Sequence, residues 1–129
     1  MPKHVISVVD DDESTRKSTT LLIESLGFRA AGVESAETLL KSGQLQETSC
    51  LIVDVQMPGM DGLQLQRHLA ALGYKIPIIF ITAYDNKESR QQAMQAGAVA
   101  FLSKPFNDEL LLETIHATLR DGAPSEKTA

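Results

Sequence analysis

A chain of 129 residues has the length of one domain with one sizeable core, and its 43% hydrophobic and 22% charged content excludes a disordered or fibrous polypeptide. A formal charge of −5 argues against a basic face that grips nucleic acid or an anionic membrane, so any DNA contact would need another domain. The single cysteine, Cys50, excludes an internal disulfide framework, and no run approaches the roughly 20 apolar residues of a membrane span. With no signal-peptide core after Met1, the expected location is the cytoplasm.

Taken in chain order, short apolar runs alternate with longer segments of helical period. His4–Val9 reads as a strand, and Glu13–Leu26, with Leu22 and Leu26 at helical spacing, as a helix. Phe28–Val33 is the second strand and Ser35–Lys41 the second helix, with Ser35 as a suitable N-cap. Cys50–Val53 is the third strand, followed by a helix over Gly62–Leu72 whose Leu65, Leu69 and Leu72 form one stripe. Pro77–Thr82 and Lys87–Ala96 supply the fourth pair. Val99–Ser103 and Asn107–Leu119 supply the fifth, again opened by a good N-cap, Asn107. Gly27, Gly43, Gly73 and Gly97 follow helical segments, where a left-handed residue is often needed.

Strand-then-helix units in unbroken succession predict an α/β fold, a single doubly wound parallel sheet with helices on both faces. The continuous apolar run "IIFIT" suits a sheet buried on both sides. Residues 121–129 hold Gly, Pro, Ser, Glu and Lys without periodicity and read as a tail or the start of a linker, leaving residues 1–120 as the domain.

In an open parallel sheet, ligands bind beyond the carboxyl ends of the strands. The first strand ends in Asp10-Asp11-Asp12, the third in Asp54 and the fourth in Thr82, while the fifth leads to Lys104-Pro105. Singly, each has an ordinary explanation: acids complement a helix N-terminus, Asp favours turns, Thr favours strands, and a lysine before proline is a solvated loop residue. Those explanations do not account for all of them at equivalent strand ends. A chemistry that they could share is phosphoryl transfer. Asp54 can act as a carboxylate nucleophile, and Mg²⁺ suits crowded carboxylates together with a phosphoryl oxygen. Lys104 can pair with one phosphoryl oxygen and Thr82 can donate to another.

The combination "VVDDDES", "LIVDVQMPGMDG", "IIFITAYD" and "AFLSKPF" resembles the CheY-like receiver domain of a two-component response regulator across roughly residues 4–120. With Arg16-Lys17-Ser18, the wording is most similar to FixJ-type regulators. The resemblance implies a flavodoxin-like sheet of strand order 2-1-3-4-5. It makes Asp54 the phosphoacceptor and a metal ligand, Asp11 a direct ligand of Mg²⁺, Asp10 its supporting partner, and Gln56 the donor of a backbone carbonyl to the ion. Thr82 and Phe101 become switch residues, Phe101 lacking the hydroxyl of the Tyr often found there, and Lys104 the phosphate-facing lysine. Asp12 is an additional acid outside the primary set.

The implied partner is a sensor histidine kinase, and the implied output is transcription through a DNA-binding domain absent from this chain. The domain would assist its own phosphorylation and dephosphorylation. Phosphorylation would promote a homodimer through the face of the fourth helix, fifth strand and fifth helix. In "NDELLLETIHATL", Leu111, Leu112, Ile115 and Leu119 share one stripe and Leu110 points away from it.

The nearest rival is a haloacid-dehalogenase-type phosphohydrolase, which shares the Asp nucleophile, the Thr or Ser, the Lys and magnesium. It needs a late acidic pair, for which this chain offers only Asp108-Glu109 in the first turn of the last helix. A nucleotide-binding module is disfavoured because no glycine-rich phosphate loop follows the first strand. A degenerate, partner-binding receiver is disfavoured because every chemical position is filled. His4, His68 and His116 fall outside the site, and Cys50 reads as a buried apolar filler.

Overall fold

The computed structural model describes residues 4–121, so the expected tail beyond Asp121 lies outside the described residues. Five strand-helix units follow one another. They are β1 (Val5–Val9) and α1 (Glu13–Ser25), β2 (Arg29–Val33) and α2 (Ala36–Ser42), β3 (Thr48–Asp54) and α3 (Gly62–Ala71), β4 (Ile78–Thr82) and α4 (Lys87–Gln95), and β5 (Ala100–Ser103) and α5 (Asp108–Asp121). A 3₁₀ turn, Gln44–Glu47, which local periodicity does not reveal, precedes β3. The strands form one sheet in the order β2-β1-β3-β4-β5, all parallel, as expected.

Alternation along the strands divides the core into two layers. Ile6, Val8, Cys50, Ile52, Ile79 and Ile81 face one side, where Ile23 of α1 and Leu111 and Ile115 of α5 cover them. Val9, Leu51, Val53 and Phe80 face the other, packed against Leu39 of α2, Leu65 and Leu69 of α3 and Ala93 of α4. Both faces are covered, which is why the central strands are apolar without interruption. Cys50 is fully buried, and burial pushes its thiol up to about 12, so it packs as a hydrophobe.

Helix boundaries follow the expected chemistry. Ser35 accepts from the Thr38 backbone N–H at 3.0 Å, and Asn107 accepts from the Leu110 N–H at 3.1 Å. The four glycines expected to stop helices all take positive φ, from 77° at Gly43 to 103° at Gly97. Leu72 departs from its expected place: α3 ends before it, it caps the helix, and it is 57% exposed while Leu65 and Leu69 are buried. Strand β3 also starts earlier than expected, because the Thr48 hydroxyl is buried against Ser7 Oγ at 2.7 Å and donates to the Gln44 carbonyl, giving a polar residue satisfied partners inside the sheet. Among the described residues no helix is long and apolar enough to cross a membrane.

Candidate functional site

Register brings the site together. Val9 of β1 pairs with Val53 of β3, so Asp10 and Asp54, one residue further on, stand side by side where strand order reverses. Carboxylate oxygens of Asp10, Asp11 and Asp54 all lie within 4.8 Å of one another. Just past β5, Lys104 Nζ donates to Asp10 Oδ2 and to Asp54 Oδ2, each at 3.2 Å. Residues 94 and 50 positions apart in sequence thus meet in one pocket.

The acids are not equivalent. Asp10 is fully buried, its Oδ1 accepting from the Asp12 N–H at 2.9 Å and its Oδ2 from Lys104. Asp11 is exposed, and no hydrogen bond or ion pair holds its carboxylate among the described residues. Asp12 turns away to cap α1, accepting from the backbone N–H and the hydroxyl of Thr15, which holds its carboxyl below the usual range.

Asp54 is almost fully buried, and desolvation, reinforced by the Asp10 charge, raises its pKa despite opposing help from the Gln56 N–H and Lys104. Lys104 also titrates higher than usual: burial alone pushes it down, but the two carboxylates together outweigh burial. An anionic pocket that draws one ammonium into contact with two carboxylates is short of positive charge. Its hard oxygen donors suit Mg²⁺ better than a soft metal.

Two expected residues stand differently from the acids. Gln56 joins Asp54 through its backbone, donating its N–H to Asp54 Oδ1 at 3.0 Å, with its side chain exposed. Thr82 ends β4 fully buried, its hydroxyl donating to the Tyr84 carbonyl at 3.2 Å and accepting from the Tyr84 N–H at 3.1 Å. Its hydroxyl is thus engaged within its own loop.

Phe101 lies in the layer beneath, 5% exposed, tilted against Phe80 at a centroid distance of 6.2 Å. Sequence reasoning missed what holds it. Arg90 of α4 stacks 4.8 Å from the Phe101 ring centre and donates to the Phe101 carbonyl at 3.2 Å. The same guanidinium donates to Asp85 Oδ2 at 2.8 Å, and Ser103 donates to that oxygen at 2.9 Å. The Arg90 and Ser103 hydrogen bonds hold the Asp85 carboxyl below the usual range. Asp85 and Arg90 are five apart across a helix start, a spacing that helical periodicity does not flag.

A doubly wound sheet with a buried carboxylate at its switch point, two further carboxylates beside it and a lysine against it defines a class of α/β domain with an acidic, cation-seeking site beyond its strand ends. Comparison with known proteins gives the family. A model of the response regulator receiver domain matches residues 6–116. Nodulation protein W of Bradyrhizobium diazoefficiens is 46% identical over 120 residues, covering 92% of this chain and 53% of that protein. The transcriptional regulatory protein FixJ of the same organism is 34% identical over 123 residues, covering 95% of this chain and 60% of that protein. The crystal structure of FixJ-N superposes with a TM-score of 0.81 at 35% identity, covering 92% of this chain and 94% of that one. The chain belongs to the response regulator receiver domain family of two-component systems. It spans about half the length of the curated relatives it matches first. The haloacid-dehalogenase reading gains nothing from these matches, and Asp108 and Glu109 are exposed in the first turn of α5.

Proposed function

We propose that Asp54 accepts a phosphoryl group from the phosphohistidine of a sensor kinase in a magnesium-dependent reaction, and that the resulting change in packing alters association and hence transcription. The observation that carries the proposal is the placement of the Asp54 carboxylate, buried at a strand end with Lys104 at 3.2 Å and two further carboxylates beside it. An Asp54 oxygen attacks phosphorus, the P–N bond breaks, and the imidazole keeps the bonding electron pair and takes up a proton. Asp11, Asp54 and the Gln56 carbonyl would hold Mg²⁺, with Asp10 supporting from its hydrogen-bonded position. The ion supplies charge neutralisation for the carboxylates and the transferring group. Lys104 then exchanges a carboxylate partner for a phosphoryl oxygen, and Thr82 leaves Tyr84 to donate to another. These same groups let the domain assist its own phosphorylation and dephosphorylation. The phosphoacceptor and the kinase would both face the cytoplasm.

The direct test is incubation with a small phosphodonor and Mg²⁺. One hydroxylamine-labile phosphoryl group per chain is expected, lost when divalent metal is chelated; equal labelling with all metal removed would refute the metal requirement. Asp11→Asn should weaken Mg²⁺ binding by roughly tenfold or more, whereas Asp12→Asn should change it little, because Asn also caps helices well. Calorimetric titration of both variants decides the matter, and a larger loss in Asp12→Asn would move the acid pair one residue along.

Movement of Thr82 has a route outward. Drawing its hydroxyl from Tyr84 shifts the β4–α4 loop, which also carries Asp85, and so disturbs the Asp85–Arg90 pair that holds Phe101 inward. The face so altered is formed by α4, β5 and α5, where Leu110 is 47% exposed while Leu111 and Ile115 are fully buried. We read this face as a phosphorylation-promoted homodimer interface. Leu110 is the surplus apolar residue that would centre it. DNA contact would fall to an output domain outside this chain, reached through the residues after α5. Sedimentation should show the mass doubling when a stable phosphoryl mimic occupies the site, and Leu110→Asp should prevent doubling without reducing labelling. A fully phosphorylated chain that stays monomeric at high concentration would leave a receiver that signals by binding another partner.

A further inference from the structure

Every polar group of Asp10 is engaged. Its N–H donates to the Val33 carbonyl at 3.1 Å, its two carboxylate oxygens accept from Asp12 and Lys104, and its carbonyl accepts from Arg16 Nη1 at 2.8 Å. The last of these comes from α1, on an arm that must cross the end of β2. The crossing point is Gly32, where a Cβ would stand 3.0 Å from Arg16 Cγ and 3.3 Å from Cδ. Gly32 has no positive φ, so its backbone does not require glycine; what its missing side chain provides is room for the Arg16 stem.

We propose that Arg16 is a positioning residue for the metal seat: its guanidinium pins the Asp10 carbonyl, and with it the peptide group that joins Asp10 to Asp11. Asp11 needs such an anchor because its own side chain is held by nothing else among the described residues. Fixing the peptide plane fixes the direction in which the Asp11 carboxylate leaves the chain, and so removes part of the ordering a cation would otherwise have to impose. The inference rests on the reading of the acid cluster as the Mg²⁺ seat.

Charge and geometry make opposite forecasts here. As a bare positive charge near the pocket, Arg16 would oppose a divalent cation, and its removal would tighten Mg²⁺ binding. As an anchor, its removal loosens binding.

The test is calorimetric Mg²⁺ titration of Arg16→Ala, Arg16→Lys and Gly32→Ala, each with its fold checked by circular dichroism, beside wild type and Asp11→Asn. Arg16→Ala should bind Mg²⁺ roughly tenfold more weakly. Arg16→Lys, which keeps a donor able to reach the carbonyl, should recover part of the loss. Gly32→Ala leaves every charged group in place yet crowds the Arg16 stem, so it should reproduce part of the loss on its own. Tighter binding by Arg16→Ala, or wild-type affinity in both Arg16→Ala and Gly32→Ala, overturns the proposal. Were Arg16→Ala to fold poorly, Arg16→Lys and Gly32→Ala still decide the question. If Asp11→Asn binds Mg²⁺ as wild type does, the metal-seat reading itself fails; if Asp11→Asn loses the ion and the Arg16 and Gly32 variants do not, only the anchoring role fails.

Discussion

Asp54→Asn is expected to reduce Mg²⁺-dependent phosphoryl labelling by a factor on the order of 10³ or more, because an amide offers no anionic oxygen to attack phosphorus. Its neighbours have other places: Asp10 is fully buried, Asp12 is committed to the α1 cap, and Asp11 is the proposed Mg²⁺ ligand. Retained labelling in this variant would refute the assignment of the phosphoacceptor.

The same substitution carries a stability signature of defined sign. Burial first, then the adjacent Asp10 charge, raises the Asp54 pKa above the ordinary 3.8, so the folded chain holds that proton more tightly than the unfolded one. Its contribution to stability is full below pH 3.8 and is lost as pH rises through the raised native value. Asn, which never ionises, escapes that loss. Metal-free Asp54→Asn should therefore melt close to wild type in acid and above it at neutral pH, and added Mg²⁺ should narrow the neutral gap. Thermal melts across pH, with and without the ion, check this; a variant less stable than wild type at neutral pH without metal would contradict the desolvation argument.

Gly62→Ala is expected to be the most damaging single-methyl change near the site. A Cβ at Gly62 would stand 2.6 Å from the Asp54 carbonyl oxygen, 2.9 Å from Val55 Cα and 3.1 Å from the Phe80 ring. Two of these neighbours are backbone and cannot swing aside. The approach is fixed by the Gly62 N–H, which donates to the Val55 carbonyl at 2.8 Å, and by the Asp61–Gln64 capping box that starts α3. Relief requires moving α3 away from β3 or displacing the backbone of Asp54. The expected loss is about 3 kcal/mol, with slower phosphorylation of what remains folded.

Gly27→Ala is the control. Its Cβ would meet nothing within 4 Å, but its φ of +94° is left-handed, so it should lose only about 1–2 kcal/mol. Denaturant melts of both variants decide it: if Gly62→Ala loses no more than Gly27→Ala, close approach is not the reason for glycine there.

Much of this protein is legible in its sequence, for reasons that operate over a few residues. β-branched runs such as "IIFIT" show buried strands, and Ser35 and Asn107 mark helix starts by chemistry local to one turn. Glycines after four helices show where the chain turns left-handed. The exposed Leu110 was visible as a residue off the α5 stripe. The resemblance to receiver domains added the strand order, which short-range pattern cannot supply.

What the tertiary structure alone decided depends on which surfaces meet. Leu72 carries the same apolar side chain and spacing as Leu65 and Leu69 but is exposed, because α3 ends before it. Asp12 is set apart locally, by capping Thr15 three residues on, but the difference between Asp10 and Asp11 follows from another element: Lys104 holds Asp10, and nothing among the described residues holds the Asp11 carboxylate. The roles of Gly32, Gly62 and Arg16 exist only once β2, β3 and two helices are packed together. Periodicity and capping act through the backbone within a turn or two, whereas these contacts act through space between residues brought together by burial of the sheet. That is why the acids and the lysine that meet at the strand ends could be picked out along the chain, while the contacts that each of them makes could not.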